Sequence, residues 1–307
     1  MKQRGAPLGS SFEAAPPASI GVFHLMNFGL QHALGGFLCA LPLSLASSFL
    51  AAPAAAQGHL DAKYQATLSG LVIGKGDWTV TVGDKDFSSA TSGGTTGLVK
   101  AIGGGHGTGS VKGRVLAGKP IPETYLSSVF YGKKNETIRI AFTGERITAS
   151  SIEPEPPPTA GRIPVLDAHR RSVSDPMSGV LFIAPGREDL PNPQACGTKA
   201  AIFDGRMRYD LELAFKAMET LTLASGARVP AVVCAVSFKP LSGYVPSRVA
   251  IKYLTARQDI DVALAPIAGT RVLVPLRVRI PTPLGLGMVM ATDFSTTAQP
   301  QAARRSN

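Results

Sequence analysis

The chain has 307 residues, of which 44% are hydrophobic and 17% charged, and its formal net charge is +10. A chain of this length can bury one sizeable core or two small ones. The positive charge alone does not indicate a nucleic-acid-binding protein, because only 7% of the residues are aromatic and no base-stacking motif is present.

The N-terminal segment has the pattern of a secretory signal. An apolar stretch over residues 33–56 ends in small residues, with Ala54 and Ala56 at the two positions of an Ala-x-Ala cleavage site before Gln57. We therefore expect residues 1–56 to be a signal peptide that is removed on export, and the mature protein to reside in the periplasm.

An uncleaved N-terminal membrane anchor is the alternative for this segment. The Gly, Ser and Pro residues that interrupt it are unfavourable in the roughly 20 apolar residues of a spanning helix. Cys39 follows Phe37 and Leu38 rather than a small residue, so we assign it to the leader and not to lipid attachment. Translation from Met1 and from Met26 both agree with the pattern.

Beyond the leader, apolar and polar residues alternate with a period of two, which is typical of strands with one solvated face. The residues whose alternation predicts the early strands are Tyr64, Ala66 and Leu68, then Trp78, Val80 and Val82, then residues 137–142 and 146–148. A short helix is also predicted over residues 96–102.

Residues 103–109, with the sequence Gly-Gly-Gly-His-Gly-Thr-Gly, are predicted to form a flexible loop. They lack the Gly-Lys-Ser/Thr ending of a phosphate-binding loop and the spacing of a dinucleotide fingerprint. We expect no nucleotide to bind here, and we assign no ligand to His106.

Residues 153–164 contain five prolines and cannot form regular structure. We interpret them as a surface loop inside a single β-rich domain that spans residues 57–295, because the strands before the loop have few large apolar residues. A linker between two domains is the alternative. The small and polar tail, residues 296–307, is predicted to be disordered.

Asp175 is predicted to cap a short covering helix with Pro176 at its first position. Farther along, Asp204-Gly205 predicts a two-residue hairpin turn, after which Arg208 and Asp210 would face solvent. The covering helix after Asp175 would place Met177, Val180, Leu181 and Ala184 on one side.

The later strands are predicted around residues 232–238, 249–253, 260–264 and 272–280.

Cys196 and Cys234 are the cysteines that remain after the leader. In an exported chain such a pair is typical of a structural disulfide. Two free buried thiols are the alternative, and a redox pair is not expected because the spacing is not Cys-x-x-Cys.

The order of several short stretches resembles a known family. They are Tyr64 with residues 71–74, residues 175–178, Cys196 before residues 203–206 and 209–210, and Cys234 before residues 243–244 and 274–277. This order resembles exported bacterial proteins catalogued as domain of unknown function 3108. The resemblance implies an envelope protein of proteobacterial type with no agreed activity.

The predicted fold is mainly β. We expect a curved antiparallel sheet with one or two short covering helices, similar by analogy alone to the open or half barrels of periplasmic lipoprotein carriers.

No catalytic or metal-binding site is predicted. Asp167 and His169 would supply a carboxylate and an imidazole, but a metal site needs three or more ligands and no other histidine is near in sequence. The Gly-x-Ser-x-Gly elbow of a serine hydrolase is absent from the sequence. We expect a solvated loop here and no cofactor.

The strand over residues 272–280 is predicted to have an apolar and a basic face. The basic face suits anionic lipid head groups or envelope polymers, with a plain solvated face as the alternative. The apolar face comprises Val272, Val274, Leu276, Val278 and Ile280, and the basic face comprises Arg271, Arg277 and Arg279.

These patterns favour a non-enzymatic periplasmic envelope protein that holds a lipid or another amphipathic ligand in a sheet-lined cavity. A structural or assembly factor with a filled core and no ligand is the first alternative. A hydrolase with an unrecognised site is the second. The sequence identifies neither the ligand nor the partner.

Overall fold

The structure, a computed structural model, describes residues 57–299 except 98–99 and 101–103. The predicted signal with Ala54, Ala56 and Cys39, most of the predicted helix over residues 96–102, and residues 300–307 lie outside the described residues. Within the described part, no helix has the length and hydropathy needed to cross a bilayer.

The described residues form a mainly antiparallel 14-stranded sheet, as the alternating pattern predicts. The first seven strands are β1 Gly58–Leu68, β2 Leu71–Val82, β3 Asp86–Thr95, β4 Gly105–Leu116, β5 Lys119–Tyr131, β6 Lys134–Thr143 and β7 Arg146–Glu153. The others are β8 Phe182–Ile183, β9 Lys199–Phe203, β10 Arg208–Thr222, β11 Arg228–Ser242, β12 Asp261–Pro266, β13 Val272–Thr282 and β14 Gly285–Ala298. The described helix is α1, Val249–Thr255.

Two meanders make up the sheet. Strands β1–β7 pair in sequence order, strands β9–β14 do the same, and β1 pairs with β14 to join them. Strand β8 lies off this path and pairs with β13. Strands on both sides of the Pro-rich segment therefore share one sheet, as the single-domain interpretation requires.

The sheet is open, with β7 and β9 at its two ends. A short piece of the connection between them contacts both ends. Val173 donates its backbone N–H to Glu145 beside β7 (3.0 Å), and Ser174 donates to Ala201 in β9 (2.8 Å). The same connection then continues inward, where Met177 and Leu181 are buried.

Three clusters of buried side chains hold the sheet in this shape. The first fills the curve of β1–β7 around Leu60, Val80 and Phe142, together with Met177 and Leu181 from the connection. The second surrounds the two cysteines between β9–β13 and the connection. The third packs small residues of β11 and β12 against Leu276 and Ala291.

The predicted helix after Asp175 is wrong, although its cap is correct. The Asp175 Oδ1 accepts the backbone N–H groups of Met177 (2.8 Å) and Ser178 (3.0 Å). Only one 3-10 turn follows, Ser178–Val180, because Phe182 and Ile183 pair with β13 instead. Tertiary strand pairing therefore overrides the local helical pattern.

The predicted strand over residues 249–253 is also wrong, since this segment is helix α1. Its short apolar pattern fits either structure, and periodicity cannot decide between them over seven residues. The helix places Leu254 against the second cluster.

Two boundaries also differ from prediction. Strand β14 runs to Ala298 and pairs with β1, so residues 296–298 are not disordered. The hairpin loop between β9 and β10 has four residues rather than two, and Arg208 and Asp210 beyond it are buried as an ion pair rather than solvated.

Candidate functional site

A strip of glycines crosses three neighbouring strands on one face of the sheet. Gly76 in β2 pairs with Gly93 in β3, which pairs with Gly107 in β4. Paired residues of antiparallel strands point to the same side of a sheet. With their neighbours two positions away, the members of this glycine strip are Gly74, Gly76, Gly93, Gly105, Gly107 and Gly109.

The strands approach too closely at the strip for most side chains. A Cβ added at Gly76 would lie 2.7 Å from the Ser92 carbonyl oxygen, and one at Gly107 would lie 3.0 Å from that of Ser128. At Gly109 it would lie 3.0 Å from the Met177 Sδ. The glycines thus permit tight curvature and leave the concave face without side chains at six positions.

An apolar groove of three neighbouring cavities begins over the strip and continues along β14 and the end of β13. The first, of about 620 Å³, lies over the strip between Tyr64 and Tyr131. The second, of about 310 Å³, continues between Trp78, Met177 and Val278. The third, of about 550 Å³, extends past Ile280 to Leu284. Val289 in β14 borders all three cavities.

Tyr64 and Met177 narrow the groove where its first two cavities meet. The Tyr64 hydroxyl donates a hydrogen bond to the Pro275 carbonyl (2.7 Å), and its ring lies 6.2 Å from that of Trp78. Burial raises the pKa of this phenol well above its ordinary value, so the hydroxyl is neutral. The flexible Met177 side chain makes this wall adaptable in shape.

A wider, polar depression of about 1,100 Å³ lies behind the strip, on the opposite face. Lys63 Nζ pairs there with Asp77 Oδ1 at 3.0 Å. His106 stacks on Phe130, with ring centroids 4.9 Å apart. These side chains engage their cross-strand neighbours rather than a common point, so we assign no site to this face.

The predicted disulfide is present. Cys196 and Cys234 are bonded with their Cα atoms 5.4 Å apart, and both are fully buried in the second cluster. The bond ties the 3-10 turn before β9 to the centre of β11.

The residues predicted to share one apolar face of β13 do not do so. The β12–β13 register shifts between Ala263, which pairs with Arg277, and Leu264, which pairs with Pro275. This shift interrupts the alternation of side chains along β13. Val272 and Val274 lie in the first cluster, Leu276 lies in the third, and Val278 and Ile280 pack against the second. Only the last two of these five residues border the groove.

The predicted basic face of Arg271, Arg277 and Arg279 is wrong as well, because other groups engage all three guanidinium groups. Arg271 donates to backbone carbonyls, including that of Glu188 at 2.7 Å. Arg277 is buried and pairs with Glu219 at 3.0 Å. Arg279 pairs with the carboxylate of Asp261.

Asp261 organises this cationic region. Lys216 Nζ lies 2.8 Å from its Oδ2, and Arg279 Nε lies 2.9 Å from its Oδ1. Burial opposes ionisation of this carboxyl, but the hydrogen bonds from Arg279 and Lys216 outweigh burial and lower its pKa. The charges of β13 therefore serve the packing of the sheet.

Asp167 and His169 are not hydrogen-bonded to each other. Asp167 pairs with Arg171, which lowers the pKa of its carboxyl, and the Nδ1 of His169 accepts the backbone N–H of Leu166 at 3.1 Å. Among the described residues, no group of three or more metal-ligating side chains occurs.

Sequence reasoning missed the glycine strip. Residues 105–109 belong to strand β4, so the prediction of a flexible loop is wrong for them, while Gly103 lies outside the described residues. The spacing Gly105-x-Gly107-x-Gly109 has the period of a strand and carried the missing signal. The same period relates Gly74 to Gly76 in β2.

Comparisons with known proteins show the family of the chain and no specific activity. The sequence profile of the protein family of unknown function DUF3108 matches residues 63–292. The chain belongs to this family. No curated protein matches it.

The fold of this DUF3108 protein is similar to that of a solved structure. It is a beta-barrel-like protein of domain of unknown function DUF1849 from Brucella abortus, with 9% sequence identity and a TM-score of 0.45. The match covers 79% of this chain and 98% of that one. At this level the likeness carries no argument about function.

Proposed function

We propose that this protein is a non-enzymatic periplasmic binding protein that holds an acyl chain or a similar amphipathic ligand in the apolar groove. The glycine strip is the observation that carries the proposal. Six inward positions without side chains leave a continuous apolar space on a face whose other half is filled by the first cluster.

The dimensions of the groove suit such a ligand. Ligand pockets typically have volumes of about 300–1,000 Å³ and mostly apolar walls. Each of the three cavities falls in this range, and together they follow the sheet from Tyr131 to Leu284 as an elongated path. An elongated path suits an acyl chain better than a compact solute.

Export is part of the proposal and has two supports. The residues before Gln57 have the composition and small-residue ending of a secretory signal. The Cys196–Cys234 bond is of a kind that persists in oxidising compartments. N-terminal sequencing of the protein from the cell envelope should find Gln57 first, and recovery of an intact Met1 or Met26 start would contradict cleavage.

A fluorescent fatty acid tests the groove. We expect saturable binding by the parent protein and at least tenfold weaker binding by Val289→Asp, because the new carboxylate would have to lose its hydration beside the acyl chain. Val289 is 41% exposed, so the parent fold should tolerate the substitution.

The matched control is Val249→Asp on helix α1, where the side chain is 77% exposed and borders none of the three cavities. Circular dichroism and urea unfolding verify that both variants fold. Absence of saturable binding by the parent, or equal loss in both variants, would reject the groove and favour a structural or assembly factor without a ligand.

A further inference from the structure

One rim of the sheet differs in character from the other. In the sheet order β13-β14-β1-β2-β3-β4-β5-β6, the hairpins β13–β14, β1–β2 and β5–β6 all turn at the same end. Ser69 in the β1–β2 turn donates its hydroxyl to the Leu284 carbonyl (2.6 Å), which fixes two of these tips against each other. We call these three tips the groove rim, because Leu284 and Tyr131 also border the groove.

The groove rim exposes large apolar side chains at its tips. Leu71 is 70% and Leu284 is 76% exposed, Leu286 follows in β14 and is exposed, and Tyr131 is exposed at the β5–β6 tip of the same end. Adjacent exposed apolar residues on a rim mark a surface for a membrane or for a partner. Their position at the mouth of the groove links this surface to the path of the ligand.

Cations flank these apolar tips without acidic counterparts. Lys133 in the β5–β6 turn and Lys134 at the start of β6 are exposed, and neither forms an ion pair with another described residue. Glu136, the nearest acidic residue in sequence, pairs instead with Arg206. The turn residues 69–70, 132–133 and 283–284 include no Asp or Glu. The same end of the sheet therefore carries unneutralised positive charge at the β5–β6 tip and exposed leucines at the β1–β2 and β13–β14 tips, with β3 and β4 between them.

The opposite rim has a different composition. Leu116 is 57% exposed beside the β4–β5 turn, but Lys119 pairs with Glu145 at 2.6 Å, Arg114 pairs with Glu123, and Lys85 lies between two aspartates in sequence. This rim also carries Asp84 and Asp86 in and beside the β2–β3 turn. Because the two rims differ, the exposed leucines and unpaired lysines of the groove rim are not a general property of the protein surface.

We propose that the groove rim docks onto an anionic lipid surface, inserting Leu71 and Leu284 among the lipids while Lys133 and Lys134 contact the head groups. This inference deepens the proposed function, since it places the mouth of the groove on a source of acyl chains. Its chemistry is that of peripheral membrane binding, in which apolar burial and attraction to anionic lipids act together.

Vesicle co-sedimentation tests the proposal with two lipid compositions. We expect the parent protein to bind vesicles of three parts phosphatidylcholine to one part phosphatidylglycerol, and to bind phosphatidylcholine alone at least tenfold more weakly. Lys133→Gln with Lys134→Gln should weaken binding to the anionic vesicles about tenfold or more, because each surface lysine contributes about 1 kcal/mol. Leu71→Ser with Leu284→Ser should weaken it by about tenfold.

Matched controls lie on the opposite rim. Leu116→Ser and Lys85→Gln change an exposed leucine and an exposed lysine there, and they should leave vesicle binding within about twofold of the parent. Unchanged binding by both rim variants, or equal loss in the opposite-rim controls, would overturn the proposal. So would a parent that binds neither vesicle, and the exposed leucines would then belong to a protein interface.

These assays can reject the groove proposal and the rim proposal independently of each other. Val289→Asp should lose the fatty acid yet keep vesicle binding, because its side chain lies inside the groove and not at a tip. Loss of fatty-acid binding alone rejects the proposed function and leaves the rim, whereas loss of vesicle binding by the parent rejects the rim and leaves the groove.

Discussion

Strands β2–β4 and strands β11–β13 differ in how much of each strand is buried. In β12, the five consecutive residues Asp261–Ala265 are buried, so both faces of the strand are covered. In β3, only Phe87 and Ser89 are buried along ten residues. The central strands of the later meander are packed on two sides, whereas the early meander packs its core on one side and alternates small residues with polar ones.

This difference distinguishes a stabilising half, the later meander, from a binding half, the early meander, in which the groove begins before it continues onto β14 and the end of β13. The later meander contains the disulfide, the Asp261 ion-pair network and two of the three clusters. The early meander contains the glycine strip, where side chains are absent. Since interiors pack nearly as densely as organic crystals, it is consistent that the largest of the three cavities of the groove lies over the glycines, where the backbone carries no side chains.

The largest expected effect tests the stabilising half. Replacing both cysteines by alanine should lower the free energy of unfolding by about 4 kcal/mol, because the bond closes a chain segment with a sequence separation of 38 residues. Urea unfolding with and without reductant measures the loss. A decrease below about 1 kcal/mol would mean that packing around the disulfide, rather than the bond, fixes this half.

An intermediate effect tests the binding half. Gly76→Ala should destabilise the protein by about 1–3 kcal/mol, because its Cβ would meet the Ser92 carbonyl at 2.7 Å and backbone cannot move aside cheaply. Gly197→Ala is the control in the later half, where an added Cβ meets nothing within 4 Å. We expect the control to stay within about 0.5 kcal/mol of the parent by thermal unfolding.

The smallest effect concerns the connection that contacts both ends of the sheet. Burial raises the pKa of Asp175 above its ordinary value of 3.8, so the folded state keeps this carboxyl protonated when the unfolded state has lost the proton. Its contribution to stability is therefore greatest at low pH and declines as the pH rises above 3.8 through the raised folded value.

Asp175→Asn sharpens this prediction because the amide keeps an acceptor for the N–H groups of Met177 and Ser178. The stability of the variant relative to the parent should increase with pH, as measured by urea unfolding at several pH values from acid to neutral. Asp175→Ala loses both hydrogen bonds and should be less stable than the asparagine variant throughout. A flat difference between the parent and the asparagine variant would show that Asp175 ionises normally in the folded state.

Local alternation was sufficient to predict much of the sheet. Strands β1, β2, β6 and β11 present the expected apolar residues to the interior, since a period of two places every second side chain on the same face. The cysteine pair was also predictable, because two cysteines lie beyond residue 56 and one of them lies on an apolar strand. The order of short motifs identified the family.

The prediction of solvated arginines from charge and the prediction of a strand over residues 249–253 from a short apolar run were wrong for the same reason. Arg277 and Arg279 look solvated in sequence, yet their acidic partners Glu219 and Asp261 come from other strands. The segment of helix α1 alternates like a strand but pairs with none of the described strands. In each case the deciding partner is distant in sequence or depends on the register of the sheet.

The sequence by itself determined the composition of each strand face, the presence of a β-rich domain and the pairing of its cysteines. Only the tertiary structure decided that glycines from three strands lie side by side, because the register Gly76, Gly93 and Gly107 depends on turn lengths and bulges. A single glycine in a sequence is compatible with either a loop or a strand. When several glycines are aligned across a curved sheet, they leave one area of its surface without side chains, and a groove opens there.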